Sequence, residues 1–108
     1  MYEVRLTETA FQCLADIESF KTATIGSVDA GHFVDQLLLE ATATLREDPK
    51  RYRFNATLAD YGLGLRERLD KHEYRTLYEI TGHTFDILLF LHTRQDLTRA
   101  LRRHMLLS

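Results

Sequence analysis

The sequence predicts an α+β domain in which a helical hairpin packs on a curved antiparallel sheet. Three observations predict it: an alternating apolar stretch at the start, two consecutive amphipathic helical patterns closed by Asp48-Pro49, and three alternating stretches in the second half. At 108 residues the chain suits one domain, 1–108, large enough to bury roughly two-thirds of its unfolded surface.

Tyr2, Val4 and Leu6 alternate with Glu3 and Arg5, the period of a strand with one buried face. Thr7 is suited to cap a helix that opens with Glu8 and carries Ala10, Phe11, Leu14, Ala15 and Ile17 at helical spacing. This helix is expected to end near Phe20 or Lys21. The β-branched, glycine-containing segment from Thr22 to Ser27 reads as a turn. Ser27 or Asp29 then caps a second helix whose inner stripe is Phe33, Val34, Leu37, Leu38, Ala41 and Leu45. Asp48-Pro49 stops it, because proline donates no backbone bond and restricts the residue before it.

From Lys50 to Gly64 no period persists, and an irregular loop is expected. Gly62 and Gly64 fall before a strand rather than between a strand and a helix, so they do not make a phosphate-binding fingerprint. Leu65, Glu67 and Leu69 alternate with Arg66 and Arg68, and Tyr74, Thr76, Tyr78 and Ile80 alternate with Arg75, Leu77 and Glu79. Gly82-His83 suits a two-residue hairpin turn into Phe85 to His92, which is apolar on both faces and therefore central. Leu97, Leu101 and Met105 recur at four-residue spacing, with Arg99, Arg102 and Arg103 on another face of a short final helix.

The composition narrows function. No apolar run approaches the roughly 20 residues of a membrane helix, so a cytoplasmic protein is expected. One cysteine, Cys13, excludes an internal disulfide and reads as a core residue, and the spacing of the histidines suggests no metal site. His32, His72, His83 and His104 read as solvated. The net charge of -2 conceals a division: residues 1–50 hold four basic and nine acidic side chains, residues 51–108 ten and seven. The halves are expected to face different partners.

The order of elements, Leu6-Thr7 with Ala10 at the first helix, Leu45 with Pro49 at the end of the second, the stretch Glu73-Tyr74-Arg75-Thr76-Leu77-Tyr78-Glu79-Ile80, and His92-Thr93-Arg94-Gln95-Asp96-Leu97 together resemble the RelE/ParE toxins. The resemblance spans nearly the whole chain. It implies a growth-arresting toxin of a type II toxin–antitoxin system, without cofactor or metal. A cognate antitoxin would wrap it as helix and strand, with Phe33, Leu37, Arg66 and Arg68 as its contacts.

Two activities follow from the two branches of that family. A ParE-like member binds and poisons DNA gyrase, which would place Arg94, Asp96, Arg99, Arg102 and Arg103 at the target. A RelE-like member cleaves mRNA on the ribosome, which would make Arg75 and Arg94 phosphate-bracing groups and His92 a general base oriented by Asp96. The chain departs from the nuclease pattern: only Arg66, Arg68 and Lys71 stand where several lysines are usual, and no tyrosine follows Tyr78. A pI near 6.2 also disfavours a ribosomal RNA partner. The ParE-like branch is therefore preferred, with a family member of weakened toxicity as a third reading. Structurally, His92 alternatively caps the central strand while Arg94 and Asp96 pair.

Overall fold

The computed structural model describes residues 1–104. Strand β1 (Glu3–Leu6) leads into helix α1 (Glu8–Ile25). Thr7 forms the corner between them: its Oγ1 accepts the Ala10 N–H at 3.2 Å and donates to the Ile87 carbonyl at 2.9 Å, so one hydroxyl caps the helix and ties it to the sheet. The helix runs past the expected end at Lys21. Thr22 and Thr24 return their hydroxyls to the carbonyls of Glu18 and Phe20, satisfying themselves without leaving the helix.

The expected turn from Thr22 to Ser27 contracts to Gly26, whose φ of 88° only glycine adopts without strain. Its N–H bonds the Thr22 carbonyl, and its own carbonyl accepts the Ala30 N–H. Helix α2 (Ser27–Glu47) thus begins on a glycine cap rather than on Ser27 or Asp29, both of which lie in its first turn. It ends at Asp48-Pro49 as the sequence predicts, and Pro49 opens a 3-10 turn to Arg51.

The segment expected to be an irregular loop contains a further helix, α3 (Ala56–Asp60), capped by Asn55 Oδ1 on the Leu58 N–H at 2.9 Å. Five residues are too few to show a helical period, which is why the sequence conceals it. Strands β2 (Arg66–Leu69), β3 (Tyr74–Thr81) and β4 (Thr84–His92) follow, and Gly82 at φ 61° with His83 makes the two-residue hairpin. Helix α4 (Leu97–Arg103) follows β4, with Asp96 as its cap. Met105, the last residue of the expected stripe, lies outside the described residues.

The sheet order is β1-β4-β3-β2, with β4 central as its two-sided apolarity predicts. The meander β2-β3-β4 is antiparallel, but β1 runs parallel to β4, from Glu3 opposite Thr84 to Leu6 opposite Ile87, so the sheet is mixed rather than wholly antiparallel. The helical hairpin carries the chain across the sheet from β1 to the far edge strand β2, from which the meander returns to β4, so the parallel pair is joined by a long connection. A bulge sets Leu77 opposite Leu89 but Tyr78 opposite Ile87, with Leu88 as the extra residue. It breaks the simple alternation: Thr76, Leu77 and Tyr78 are buried in succession, as are Leu89, Phe90 and Leu91.

The core joins Leu14 and Ile17 of α1, Val34, Leu37, Ala41 and Leu45 of α2, and Phe85, Ile87, Leu89 and Phe90 of β4. Phe33 and Leu38, expected in the inner stripe, sit half-buried at its margin, and Phe11 is 55% exposed while Cys13 takes the inward position. The 3.6-residue period carries Phe11 off the buried arc. Leu69 is exposed as well, since β2 is an edge strand that ends there. Tyr78 is fully buried and donates its hydroxyl to the Pro49 carbonyl at 2.5 Å, fastening the end of α2 to β3.

Candidate functional site

Beyond the end of β4 the chain turns tightly into α4, and the turn is built from side chains. The His92 N–H donates to Gln95 Oε1 at 2.8 Å, the Arg94 N–H donates to His92 Nδ1 at 3.1 Å, and the Arg99 N–H donates to Asp96 Oδ1 at 2.9 Å. These bonds fix the backbone so that Arg94 is exposed at the mouth of an open groove of about 770 Å³ between α1, the end of β4 and α4.

Ile17 and Phe20 of α1, Tyr74 of β3 and Phe90 and Leu91 of β4 supply its apolar lining. Lys21, Arg94, Arg99 and Arg103 supply positive charge against Asp16 and Asp96. Arg103 pairs with Asp16 at 2.7 Å and Asp96 is committed to the α4 cap. Among the described residues Lys21, Arg94 and Arg99 have no salt-bridge partner, so the groove is net cationic.

An aromatic chain runs along one side. Tyr74 meets His92 edge-on with ring centroids 5.0 Å apart, Phe33 meets Tyr74 at 5.7 Å, and the Lys21 ammonium stands 4.6 Å from the Phe33 centroid. Burial pushes the Tyr74 hydroxyl above its ordinary range, with Asp70 adding to the effect. Burial likewise raises the Cys13 thiol, outweighing the backbone hydrogen bond from Phe90 that opposes it. Neither group supplies an anionic nucleophile at neutral pH.

The residues suggested by sequence divide. His92, Arg94, Asp96, Arg99 and Arg103 line the groove, while Arg102 is exposed outside it. Arg75 is not brought to them. Strand alternation turns it to the face opposite Tyr74 and His92, where it reaches Glu67 at 3.5 Å. Asp96 does not orient His92, nor does it pair with Arg94; it caps α4. The His92 Nδ1 lone pair is engaged by the Arg94 N–H, so the neutral ring carries its proton on Nε2 and is a donor rather than a base.

Of the proposed antitoxin contacts, Phe33 is half-buried beneath Lys21, and Leu37 is only 4% exposed. Leu37 is therefore a core residue with no surface to offer, because it falls at the centre of the α2 stripe. Arg66 braces the loop by donating to the carbonyls of Lys50 and Tyr52 and lies over the Phe54 ring. Arg68 encloses its Nη1 without a hydrogen-bond partner among the described residues.

His104, expected in solvent, instead contacts Gln12 and Cys13. Lys21, Phe20 and Gln95 were not singled out by sequence. Lys21 and Phe20 join the groove because α1 continues beyond them, and the Thr22 and Thr24 back-bonds that allow this leave no periodic signal. Among the described residues no group of three or more His, Cys, Asp or Glu side chains is placed to hold a metal ion. No helix among them is long and apolar enough to cross a membrane.

No family model matches the sequence, and no curated protein matches it. A solved structure does: a chain of the chromosomal ParDE TA system from P. aeruginosa, with a TM-score of 0.69 and 19% identity over 85% of this chain and 96% of that one. The chain has a ParE-like fold. At this identity the likeness is one of architecture, for a chain whose elements run β-α-α-α-β-β-β-α. In this ParE-like frame the cationic groove falls where the last strand passes into α4.

Proposed function

We propose that this chain is the toxin of a type II toxin–antitoxin pair, acting in the cytoplasm by binding and poisoning DNA gyrase, and that a cognate antitoxin neutralises it. The observation that carries the choice of target is the separation of Arg75 from His92 and Arg94. Ribosome-dependent mRNA cleavage needs a base and phosphate-bracing cations around one scissile bond. Here the arginine of β3 lies on the other face and the histidine lone pair is occupied. A binding toxin needs none of that chemistry. It needs a shaped, charged surface, which the groove with Lys21, Arg94 and Arg99 supplies.

The antitoxin partner is supported by the ParDE likeness and by the composition of the groove, whose apolar lining and uncompensated cations suit an acidic amphipathic segment. The half-buried Phe33, with Lys21 above it, extends that surface toward α2. Arg66 and Arg68 of β2 are proposed as a second contact for the same partner through their side chains, since the backbone at Leu65 and Glu67 is already bonded to Asn55 and Arg53.

The test is induction without antitoxin, followed by assays with purified gyrase and DNA. The expected result is filamentous growth, induced DNA damage and accumulation of cleaved gyrase–DNA complexes. Arg94→Ala and Arg99→Ala are each expected to weaken the effect about tenfold, the magnitude of a lost charge-assisted hydrogen bond. Arg75→Ala should leave it unchanged. Rapid arrest of translation with cleaved mRNA and intact DNA would instead establish the nuclease activity, and harmless overexpression would establish a member without toxicity.

A further inference from the structure

Helix α4 forms one wall of the groove, and it is secured to α1 at its last turn by three contacts. Arg103 Nη2 meets Asp16 Oδ2 at 2.7 Å, His104 Nδ1 lies 3.3 Å from Gln12 Oε1, and His104 Nε2 lies 3.6 Å from Cys13 Sγ. The amide oxygen of Gln12 can only accept, so Nδ1 carries the ring proton. Nε2 is then left as an acceptor for the thiol hydrogen of Cys13, which burial keeps in the neutral form. The arrangement is a chain of neutral hydrogen bonds whose middle member is a histidine.

We propose that the last turn of α4 is held on α1 by a pH-sensitive latch that is tightest while His104 is neutral, so that acidification loosens the helix end that walls the groove. A proton on Nε2 would remove the acceptor that Cys13 uses and place a cation in a half-buried position beside Arg103. The groups facing the ring from α1 are Gln12, Cys13 and Asp16, and Arg103 adjoins it on the chain. The backbone of Phe90 approaches Cys13 from β4. Asp16 is the only anion among these, and Arg103 already engages it.

Burial, then Arg103, hold the His104 ring below its ordinary range, with Asp16 opposing. Docking that lowers the value of a base favours the docked state above the free value, about 6.5 for histidine, and loses that contribution as pH falls through the docked value. The latch should therefore be closed at pH 7.5 and weakened toward pH 5.5.

Amide hydrogen exchange on the full chain, corrected for the intrinsic pH dependence of exchange, tests this directly. Relative to the amides of α2, protection over Leu97–Arg103 is expected to be lost in part between pH 7.5 and 5.5. His104→Gln, which bears no titrating group, should show no such pH dependence whether its α4 is docked or loose. An NMR titration of the wild-type chain should give His104 a midpoint below the ordinary histidine value of about 6.5. Constant α4 protection across this range, a His104 midpoint equal to or above the ordinary histidine value, or the same pH dependence in His104→Gln would each overturn the proposal. None of these measurements involves gyrase or an antitoxin, so failure of the toxin reading would leave them unaffected.

Discussion

Truncating Leu89 to alanine is the most direct probe of the packing that joins the helical hairpin to the sheet. Leu89 is fully buried in the central strand, opposite the equally buried Leu77, just beyond the bulge. Removing its three outer carbons forfeits about 2 kcal/mol of transfer energy, at about 0.8 kcal/mol per carbon. Leu89 is held in register against β3 and sealed by the core, so the space does not close and a cavity contribution brings the total to about 3–5 kcal/mol. Against a typical domain stability of about 5–15 kcal/mol, such a loss corresponds to a fall in Tm of order 15 °C.

Leu38 is the matched control. Sequence pattern places it in the same class as Leu89, but in the structure it sits half-buried at the edge of the core. Leu38→Ala opens toward solvent rather than into a sealed void and should cost about 1–2 kcal/mol. Urea unfolding of both variants at neutral pH, with m-values compared to confirm two-state behaviour, measures the difference. A cost below about 1 kcal/mol for Leu89→Ala, or equal costs at the two positions, would refute the placement of β4 at the centre of the core.

Three further outcomes follow from individual contacts. Tyr78→Phe leaves the Pro49 carbonyl without its buried donor and should cost about 1–3 kcal/mol in chemical denaturation. Burial raises the Tyr78 hydroxyl far above its ordinary value, so its contribution is fully present below about pH 10 and is lost as pH rises further and unfolded tyrosine ionises. Alkaline destabilisation measured by CD should accordingly be smaller in Tyr78→Phe than in the parent. Gly26→Ala meets no atom within 4 Å but forces a side chain onto φ 88°, and should lower stability by about 1 kcal/mol or more in thermal unfolding. Asp96→Ala removes the α4 cap and should cost about 1 kcal/mol, read as faster exchange of the α4 amides with the sheet unchanged.

Much of the architecture was legible because most of its elements are long enough to display a period. The stripe of α2, the stop at Asp48-Pro49, the Gly82-His83 hairpin and the central position of β4 are all local signals that tertiary contacts reinforce. What was hidden depends on partners distant in sequence or on segments too short to repeat. Alternation in Tyr2–Leu6 indicates a strand but not which neighbour it meets, so its parallel pairing with β4 was concealed. The bulge at Leu88 is likewise invisible, since it exists only in the register between two strands. At the site, Arg94 and Arg99 were legible as cations beside a helix start. Arg75 was misplaced relative to them, because a motif conveys residue type and not the face to which alternation turns it. His104 gave no signal at all, its partners lying about ninety positions earlier in the chain.

The pairing of β1 with β4 sets when the molecule can come into being during synthesis. Residues 3–6 find their strand partner only at 84–87, and the Arg5–Asp86 pair closes a separation of 81 positions. At about 5–20 residues per second, a ribosome has the α1–α2 hairpin in hand seconds before the strand that completes the sheet appears. Until then the apolar sides of both helices have no sheet to cover, and closure over so long a loop is intrinsically slow. A nascent chain of this design therefore carries no finished groove until its last strand has been made.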